Sequence, residues 1–366
     1  MAEVKLMKGN EAFAEAAIRV GADAYFGYPI TPQSEVIEYL MTEQPHLRTG
    51  MVVLQAESEI AAINMVYGAA GAGKKVLTSS SSPGISLKLE GISYMAGAEL
   101  PAVILNVVRG GPGLGTIQPS QADYFQAVKG GGHGDYKLLV LAPSSVQEMA
   151  DFVEDAFEMA FKYRNPVMIL SDGVIGQMME KVIFKEQKDR WTEEEVKSLN
   201  GSWATTGKTP DRERNIITSL DLDSHRMEDH NKLLQSKYKR MEDEEVRFEE
   251  IMCDDAEYIM VAYGSSARIA QKTLSLAREK GIKVGLLRPI TLFPYPTKII
   301  REYTDRGVKG FLSVEMSAGQ MVEDVKLAVN GKAKVEHYGR NGGIIPTPAE
   351  VLEALENQII EEVQWT

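Results

Sequence analysis

The sequence predicts an α/β protein made of two units, each with a parallel sheet, the first with helices on both faces. Three observations predict it. Short apolar runs alternate with helix-like stretches across residues 1–180. The same alternation returns over residues 256–366, as a small Rossmann-like unit. Between the two, residues 181–255 lose the alternation and turn charged, which reads as a linker carrying a long helix. At 366 residues the chain is long enough for two domains.

In the first unit, residues 10–20 space Phe13, Ala16, Ala17 and Val20 as a helix does, with Asn10 as cap and Gly21 as stop. Residues 24–26 form a short apolar strand that breaks at Gly27 and Pro29, and a helix follows over 33–41. Thr31 sits at that junction, where open α/β sheets place their ligands. It reads equally as an N-cap with Pro32 at the first helical position. Residues 51–54 are a strand and 57–72 a helix of small residues; 76–78 are a strand running into Ser79–Ser82 and Pro83-Gly84. A helix over 85–97, a buried strand over 102–108 and a glycine-rich loop over 110–115 come next. The unit closes with a helix over 121–128, a strand over 138–141, a helix over 145–163 capped by Ser144 or Ser145, and a strand over 167–170.

In the linker, residues 203–214 are a polar loop. Over 227–252, Leu234, Tyr238, Met241, Phe248 and Met252 fall near one helical face, which predicts a solvated helix packed along one stripe, with a partner-binding helix as the alternative. The second unit reads as a strand over 258–262, the turn Gly264-Ser265-Ser266 into a helix ending at Lys280, and a strand over 284–287. A helix over 297–303, a strand over 310–314, a helix over 320–329 and a strand over 334–337 follow. The last helix spans 348–363, capped at Thr347 with Pro348 at its first position. Gly264-Ser265-Ser266 resembles a phosphate loop only weakly, lacking further glycines or a lysine, and reads as structural.

Composition narrows the function. Hydrophobic content of 44% and charged content of 25% are those of a soluble globular protein. A net charge of -12 argues against a nucleic-acid binder. No apolar run approaches the roughly 20 residues that span a bilayer, and the N-terminus lacks the layout of a signal peptide, so a cytoplasmic protein is expected. Cys253 is the single cysteine, so this chain alone builds neither a disulfide nor a cysteine-ligated metal or iron–sulfur site. The five histidines form no ligand-like pair, and no metal site is expected.

Four features follow successive strands of the first unit: Thr31, then Glu57 and Glu59, then the Ser79–Gly84 turn, then Arg109 with its glycine loop. Parallel strands end on the same side, so these features converge on one rim. Carboxylate, fixed cation, hydroxyls and glycine-opened backbone suit one anionic ligand site. Each also has an ordinary reading: carboxylates favoured at a helix start, a surface ion pair for Arg109, and turn or loop chemistry for the serines and glycines.

Tyr28-Pro-Ile-Thr-Pro, Gln55-Ala-Glu-Ser-Glu-Ile-Ala-Ala, Thr78-Ser-Ser-Ser-Ser-Pro-Gly, Arg109-Gly-Gly-Pro-Gly-Leu-Gly and His133-Gly-Asp resemble the alpha-type subunit of 2-oxoacid:ferredoxin oxidoreductases. Tyr338-Gly-Arg-Asn-Gly-Gly-Ile-Ile-Pro-Thr-Pro is similar to that subunit's C-terminal signature. The resemblance covers nearly the whole chain, in order, and is weakest over residues 185–250. Gly131-Gly-His-Gly-Asp-Tyr and Ile117-Gln-Pro-Ser-Gln are most similar to the 2-ketoisovalerate (3-methyl-2-oxobutanoate) branch; 2-oxoglutarate, pyruvate and aryl-pyruvate branches are the alternatives. A non-catalytic nucleotide-binding scaffold is the reading from a different class.

The resemblance implies an oxidoreductase that cleaves a 2-oxoacid with thiamine diphosphate and CoA, giving acyl-CoA, carbon dioxide and electrons for ferredoxin. It makes residues 1–180 a pyrimidine-binding domain and residues 256–366 a transketolase C-terminal-type domain. It matches Glu59, in preference to Glu57, to the glutamate held against N1′ of the aminopyrimidine. There a charge-assisted hydrogen bond favours the imino tautomer, whose 4′-nitrogen removes the C2 proton. Thr31 matches the threonine near the substrate oxygens and Arg109 the arginine that pairs with the substrate carboxylate. Tyr28, Pro29, Ile30, Ser82, Pro83 and Gly84 are implied as further cofactor contacts.

The Gly-Asp-Gly motif with a later Asn that holds Mg²⁺ and diphosphate in this superfamily is missing: Ser171-Asp172-Gly173 has no such continuation. The resemblance therefore implies that the chain is inactive alone. A beta-type subunit would carry the diphosphate and Mg²⁺ site; gamma-type and ferredoxin-like subunits would complete the assembly, with the [4Fe–4S] clusters on partner chains.

Overall fold

A computed structural model describes residues 3–361. The chain starts with a strand that the sequence reading left out, β1 (Glu3–Lys8), which runs straight into α1 (Gly9–Arg19). Lys8, not Asn10, is the N-cap of α1. Asn10 is buried and spends its amide on the Pro32 carbonyl at 2.7 Å, a long-range partner that a local capping rule does not register. The expected alternation then follows: β2 (Ala24–Gly27), α2 (Ser34–Glu43), α3 (Pro45–Arg48), β3 (Val52–Gln55), α4 (Glu59–Gly71), β4 (Val76–Ser80), α5 (Pro83–Gly97), β5 (Ala102–Val108), α6 (Tyr124–Val128), β6 (Leu139–Leu141), α7 (Val146–Tyr163) and β7 (Pro166–Asp172). Ser145 caps α7, accepting from the Glu148 N–H at 3.1 Å.

Next come α8 (Gly173–Gln177), β8 (Met179–Phe184), α9 (Glu193–Asn200), α10 (Ser224–Glu244) and β9 (Phe248–Ile251). The stretch expected to hold no strand thus holds two. In β8 the buried Val182 and Phe184 alternate with exposed Met179, Lys181 and Ile183, so exposed apolar residues blurred the pattern. The helix expected over 227–252 stops at Glu244; its stripe Leu234, Tyr238 and Met241 is buried, whereas Phe248 belongs to β9.

The remaining elements are β10 (Tyr258–Val261), α11 (Gly264–Glu279), β11 (Val284–Pro289), β12 (Thr291–Phe293), α12 (Thr297–Asp305), β13 (Gly310–Glu315), α13 (Met321–Val329), β14 (Lys334–Gly339) and α14 (Pro348–Ala354). Thr347 caps α14, and the chain continues as a π-helical segment, Leu355–Glu361. The end expected at residue 363 lies outside the described residues.

A seven-stranded sheet has the order β12-β6-β7-β5-β4-β2-β3, and a five-stranded sheet the order β14-β13-β10-β11-β9. Both are parallel except at an edge: β12 runs antiparallel to β6, and β9 antiparallel to β11. β1 and β8 pair antiparallel as a separate ribbon. Continuous apolar runs make the central strands: all seven residues of β5 and of β7 are buried, as a sheet covered on both faces requires.

The two halves meet in a polar joint. Asp172, at the end of β7, takes the Val174 and Ile175 N–H groups at 2.9 and 3.2 Å with one oxygen. Its other oxygen accepts from the Ser265 N–H at 3.1 Å and hydroxyl at 2.7 Å. Gln121 donates to the Tyr263 carbonyl at 2.8 Å and accepts from the Ser266 hydroxyl at 2.7 Å. The start of α11 therefore faces a carboxylate of the first half, as its dipole favours.

Candidate functional site

β2, β3, β4 and β5 pair in parallel, so their carboxyl ends open on one rim. After β3, Ser58 caps α4 by accepting from the Ala61 N–H at 3.2 Å. The helix starts two residues later than the sequence pattern suggests, and this separates the two glutamates. Glu57 stays outside, exposed, with the Ser58 hydroxyl on it at 2.9 Å. Glu59 opens the helix and is 7% exposed. Among the described residues, no donor hydrogen-bonds its carboxylate. A buried carboxylate without a donor is costly unless something else supplies one.

After β4, Ser79 and Ser80 belong to the strand itself, and α5 begins at Pro83. Ser82 turns the corner at φ +28°, a conformation that a side chain rarely adopts. It is fixed on both sides: its N–H donates to Asn106 Oδ1 at 3.1 Å, and its Oγ lies 3.0 Å from the Arg109 N–H and 3.3 Å from the Arg109 carbonyl. Gly84 leaves room where the rim is tightest. A Cβ there would come within 2.1 Å of Ser80 Oγ and 2.8 Å of Glu59 Oε1. Ser80 Oγ and Ser81 Oγ are buried without a partner among the described residues.

After β5, Arg109 is 7% exposed, which overturns its reading as a surface ion pair. Its Nη1 donates to the Thr31 carbonyl at 2.8 Å and its Nη2 to the Leu114 carbonyl at 2.9 Å. Its Nε is buried with no partner among the described residues. The guanidinium thus ties the β2–α2 corner to the glycine loop and keeps its Nε donor uncommitted among the described residues.

Thr31 does not cap α2. The helix begins at Ser34 with Gln33 in the cap position, and Pro32 lies outside it. The reason is long-range. Gln33 is fully buried, donating to the Tyr28 carbonyl at 3.1 Å and accepting from the Ser79 hydroxyl at 2.5 Å, and this anchor sets where the helix can start. Thr31 is left exposed, its hydroxyl free of hydrogen bonds among the described residues. Tyr28, Pro29 and Ile30 are half-buried along the same corner, and Pro83 is half-buried at the start of α5. Two groups result: Thr31, Arg109 and Ser82 joined by hydrogen bonds, and Glu59 against Gly84 and Ser80.

The sequence reading missed Lys88. It is fully buried, and its amine donates to Thr78 Oγ1 at 2.6 Å and to the Ser79 carbonyl at 3.4 Å. Burial pushes that amine down to about 7, with Glu59 pulling in the opposite direction. A signal existed: Lys88 falls on the buried stripe of α5 with Ile85, Ile92 and Ala96. Among the described residues no group of three His, Cys, Asp or Glu side chains gathers as a metal site, and no helix is long and apolar enough to cross a membrane.

Residues 15–248 match the family described as pyruvate flavodoxin/ferredoxin oxidoreductase, thiamine diphosphate-binding, and residues 256–351 match pyruvate:ferredoxin oxidoreductase core domain II. The chain is 53% identical to the ketoisovalerate oxidoreductase subunit VorB of Methanothermobacter thermautotrophicus, covering 96% of this chain and 97% of that one. It is 36% identical to the 2-oxoglutarate synthase subunit KorA of Archaeoglobus fulgidus, over 98% of this chain and 100% of that one. Among solved structures it is similar to the 2-oxoglutarate:ferredoxin oxidoreductase of Magnetococcus marinus with 2-oxoglutarate, coenzyme A and succinyl-CoA bound, with a TM-score of 0.84 and 26% identity. The match covers 99% of this chain but 65% of that one, so the chain spans less than two thirds of that relative. A split-gene transketolase, at TM-score 0.59 and 13% identity over 96% of this chain and 97% of that one, shares the fold.

Proposed function

This chain belongs to the 2-oxoacid:ferredoxin oxidoreductases as an alpha-type subunit, with a thiamine diphosphate-binding domain, and from that premise we propose that it supplies the pyrimidine-binding half of an active site for oxidative decarboxylation of 3-methyl-2-oxobutanoate with CoA. The observation that carries the reading is Glu59: a buried carboxylate at a helix start, on the ligand rim of a parallel sheet, with no donor of its own among the described residues. The aminopyrimidine ring is the kind of group that completes it, because N1′ shares a proton with a carboxylate. The Ser80 and Ser81 hydroxyls and the Arg109 Nε, unpartnered among the described residues, add polar groups to the same rim.

Bound there, thiamine diphosphate supplies a carbon nucleophile for the 2-oxo carbon. The chain's own residues do the rest of this half. Glu59 holds and exchanges the proton at N1′, acting as the general acid–base group. Tyr28, Pro29 and Ile30 on one side and Ser82, Pro83 and Gly84 on the other line the cofactor. Thr31, with its hydroxyl free, meets the substrate oxygens. Arg109 carries the fixed positive charge for the substrate carboxylate, held in place by the Thr31 and Leu114 carbonyls.

The other half comes from partners. A beta-type subunit carries the diphosphate and Mg²⁺ site, gamma-type and ferredoxin-like subunits complete the assembly, and [4Fe–4S] clusters on those chains pass electrons to ferredoxin in the cytoplasm. Ile60 and Met65 on α4 and Leu87 and Tyr94 on α5 are exposed apolar side chains on the two helices that start at the rim, the kind of surface a partner subunit covers. The preference for a branched 2-oxoacid rests on 53% identity to a ketoisovalerate oxidoreductase subunit against 36% to a 2-oxoglutarate synthase subunit.

The test is to purify the chain with its native partner subunits and follow viologen reduction over a panel of 2-oxoacids. The reading expects bound thiamine, CoA-dependent reduction, and the highest kcat/KM on 3-methyl-2-oxobutanoate. Preference for 2-oxoglutarate or pyruvate would move the substrate, and a complex without thiamine affinity or 2-oxoacid turnover would remove the activity.

A further inference from the structure

Resting on the reading of Glu59 as the carboxylate that meets N1′, we propose that Lys88 is a positioning residue that sets a positive charge behind Glu59 and tunes the proton shared with N1′. The packing of α5 on α4 brings the two together. A Cβ on Gly84 would come within 2.8 Å of Glu59 Oε1, and one on Gly91 within 2.7 Å of Ile63 Cγ1. Lys88 lies four residues after Gly84 and three before Gly91, on the same face of α5. Side chains in a helix lean toward its N-terminus, so the Lys88 stem runs back toward the Glu59 carboxylate.

The surroundings leave Lys88 little else to do. It is fully buried, and its amine donates to a neutral hydroxyl, Thr78 Oγ1 at 2.6 Å, and a neutral carbonyl, that of Ser79 at 3.4 Å. It makes no ion pair among the described residues. Glu59 on α4 is the charged group that faces it; β4 presents only Thr78 and Ser79. A buried ammonium is costly unless a counter-charge is near, and burial here pushes the amine down to about 7 while Glu59 pulls it back up. The two groups are complementary: among the described residues Glu59 has no donor and Lys88 no carboxylate in contact, so each is the other's nearest compensating charge. A cation behind Glu59 eases loss of a proton from the Glu59–N1′ pair, whichever of the two atoms carries it.

The experiment is a pH titration of the assembled, thiamine-loaded complex, reading the circular-dichroism band of the cofactor's imino tautomer. Lys88→Gln keeps a donor for Thr78 and removes the charge. It is expected to move the midpoint of the band up by about one pH unit, the scale of one nearby charge. Thr78→Val, which removes the acceptor nearest the amine and leaves Glu59 untouched, is expected to move it the same way by less. It decides the matter if Lys88→Gln fails to assemble. A purely structural Lys88 would change the thermal midpoint of the complex and leave the titration where it was, and that result overturns the proposal. Glu59→Gln separates the two readings. If it abolishes the band while the Lys88 and Thr78 variants titrate as wild type, Lys88 is dismissed and Glu59 kept; if it preserves the band, the role of Glu59 itself is wrong.

Discussion

Glu15 and Glu59 are both buried glutamates of the first sheet's helices, and their surroundings are opposite. Glu15, on α1, is fully buried and saturated. Its carboxylate accepts from Arg19 Nε at 2.6 Å, from Arg48 Nη1 and Nη2 at 3.0 and 3.1 Å, and from the Tyr39 hydroxyl at 3.0 Å. Burial pushes its carboxyl up, but the Arg48 and Arg19 bonds overcome burial and hold it at about 2. Glu315, also buried, needs no cation: the Ser313 and Ser317 hydroxyls and the Gln320, Met321 and Val322 N–H groups surround it at 2.9 to 3.0 Å. Glu59 is buried on the rim of strand ends and has no such partner among the described residues. Glu15 and Glu315 are satisfied by the fold itself, and Glu59 is not.

Mutation to glutamine breaks or sharpens that contrast. Glu15→Gln replaces a fully buried carboxylate by a neutral amide between half-buried Arg19 and exposed Arg48, and is expected to lower the unfolding free energy of the apo complex by about 2 to 3 kcal/mol. Glu59→Gln breaks no hydrogen bond among the described residues. It takes from Lys88 a counter-charge whose loss the amine, already down at about 7, meets by shedding its proton. It should cost about 1 to 2 kcal/mol, less than Glu15→Gln. Denaturant unfolding of both variants decides; equal losses would erase the distinction. At the rim, Arg109→Met removes the fixed charge and is expected to cost about 2 to 4 kcal/mol in kcat/KM for 2-oxoacids. A loss below about 0.5 kcal/mol, the scale of an exposed pair, would leave Arg109 with only its carbonyl-bracing role.

Acid should release the Glu15 cluster. Its folded carboxyl at about 2 lies below the ordinary 4.5. The bonds therefore contribute fully above about pH 4.5 and are lost as pH falls toward 2, amounting to about 3 kcal/mol. Over that window the wild type should lose more stability than Glu15→Gln, and parallel curves would contradict the assignment. A modest effect is expected at the joint between the halves. Ser265→Ala removes the 2.7 Å hydroxyl bond to Asp172 but keeps the N–H bond, and should cost about 1 to 2 kcal/mol in unfolding free energy.

The alternation that defines both sheets was legible because central strands are continuous apolar runs: β5 lies where the sequence put it. The strands that escaped are all edge or ribbon strands, β1, β8, β9 and β12, where short length and charged or exposed residues hide the pattern. The rim was legible as a set of strand ends. The cap assigned to Thr31 failed because Gln33 is anchored by Ser79, 46 residues away. Lys88 escaped because its burial depends on Gly84 and Gly91 letting α5 approach α4. The roles of Glu59, Thr31 and Arg109 came from family resemblance; the residues alone offered only a carboxylate, a hydroxyl and a cation on one rim.

The central claim, that the open carboxylate of Glu59 is completed by the aminopyrimidine, is tested most directly by hydrogen–deuterium exchange at thiamine C2 in the assembled complex. Glu59→Gln is expected to slow exchange by about 10²-fold or more, the scale of general acid–base catalysis, while Glu57→Gln, at an exposed position, exchanges as wild type. A Glu59→Gln complex that binds the cofactor and exchanges at the wild-type rate would contradict the account.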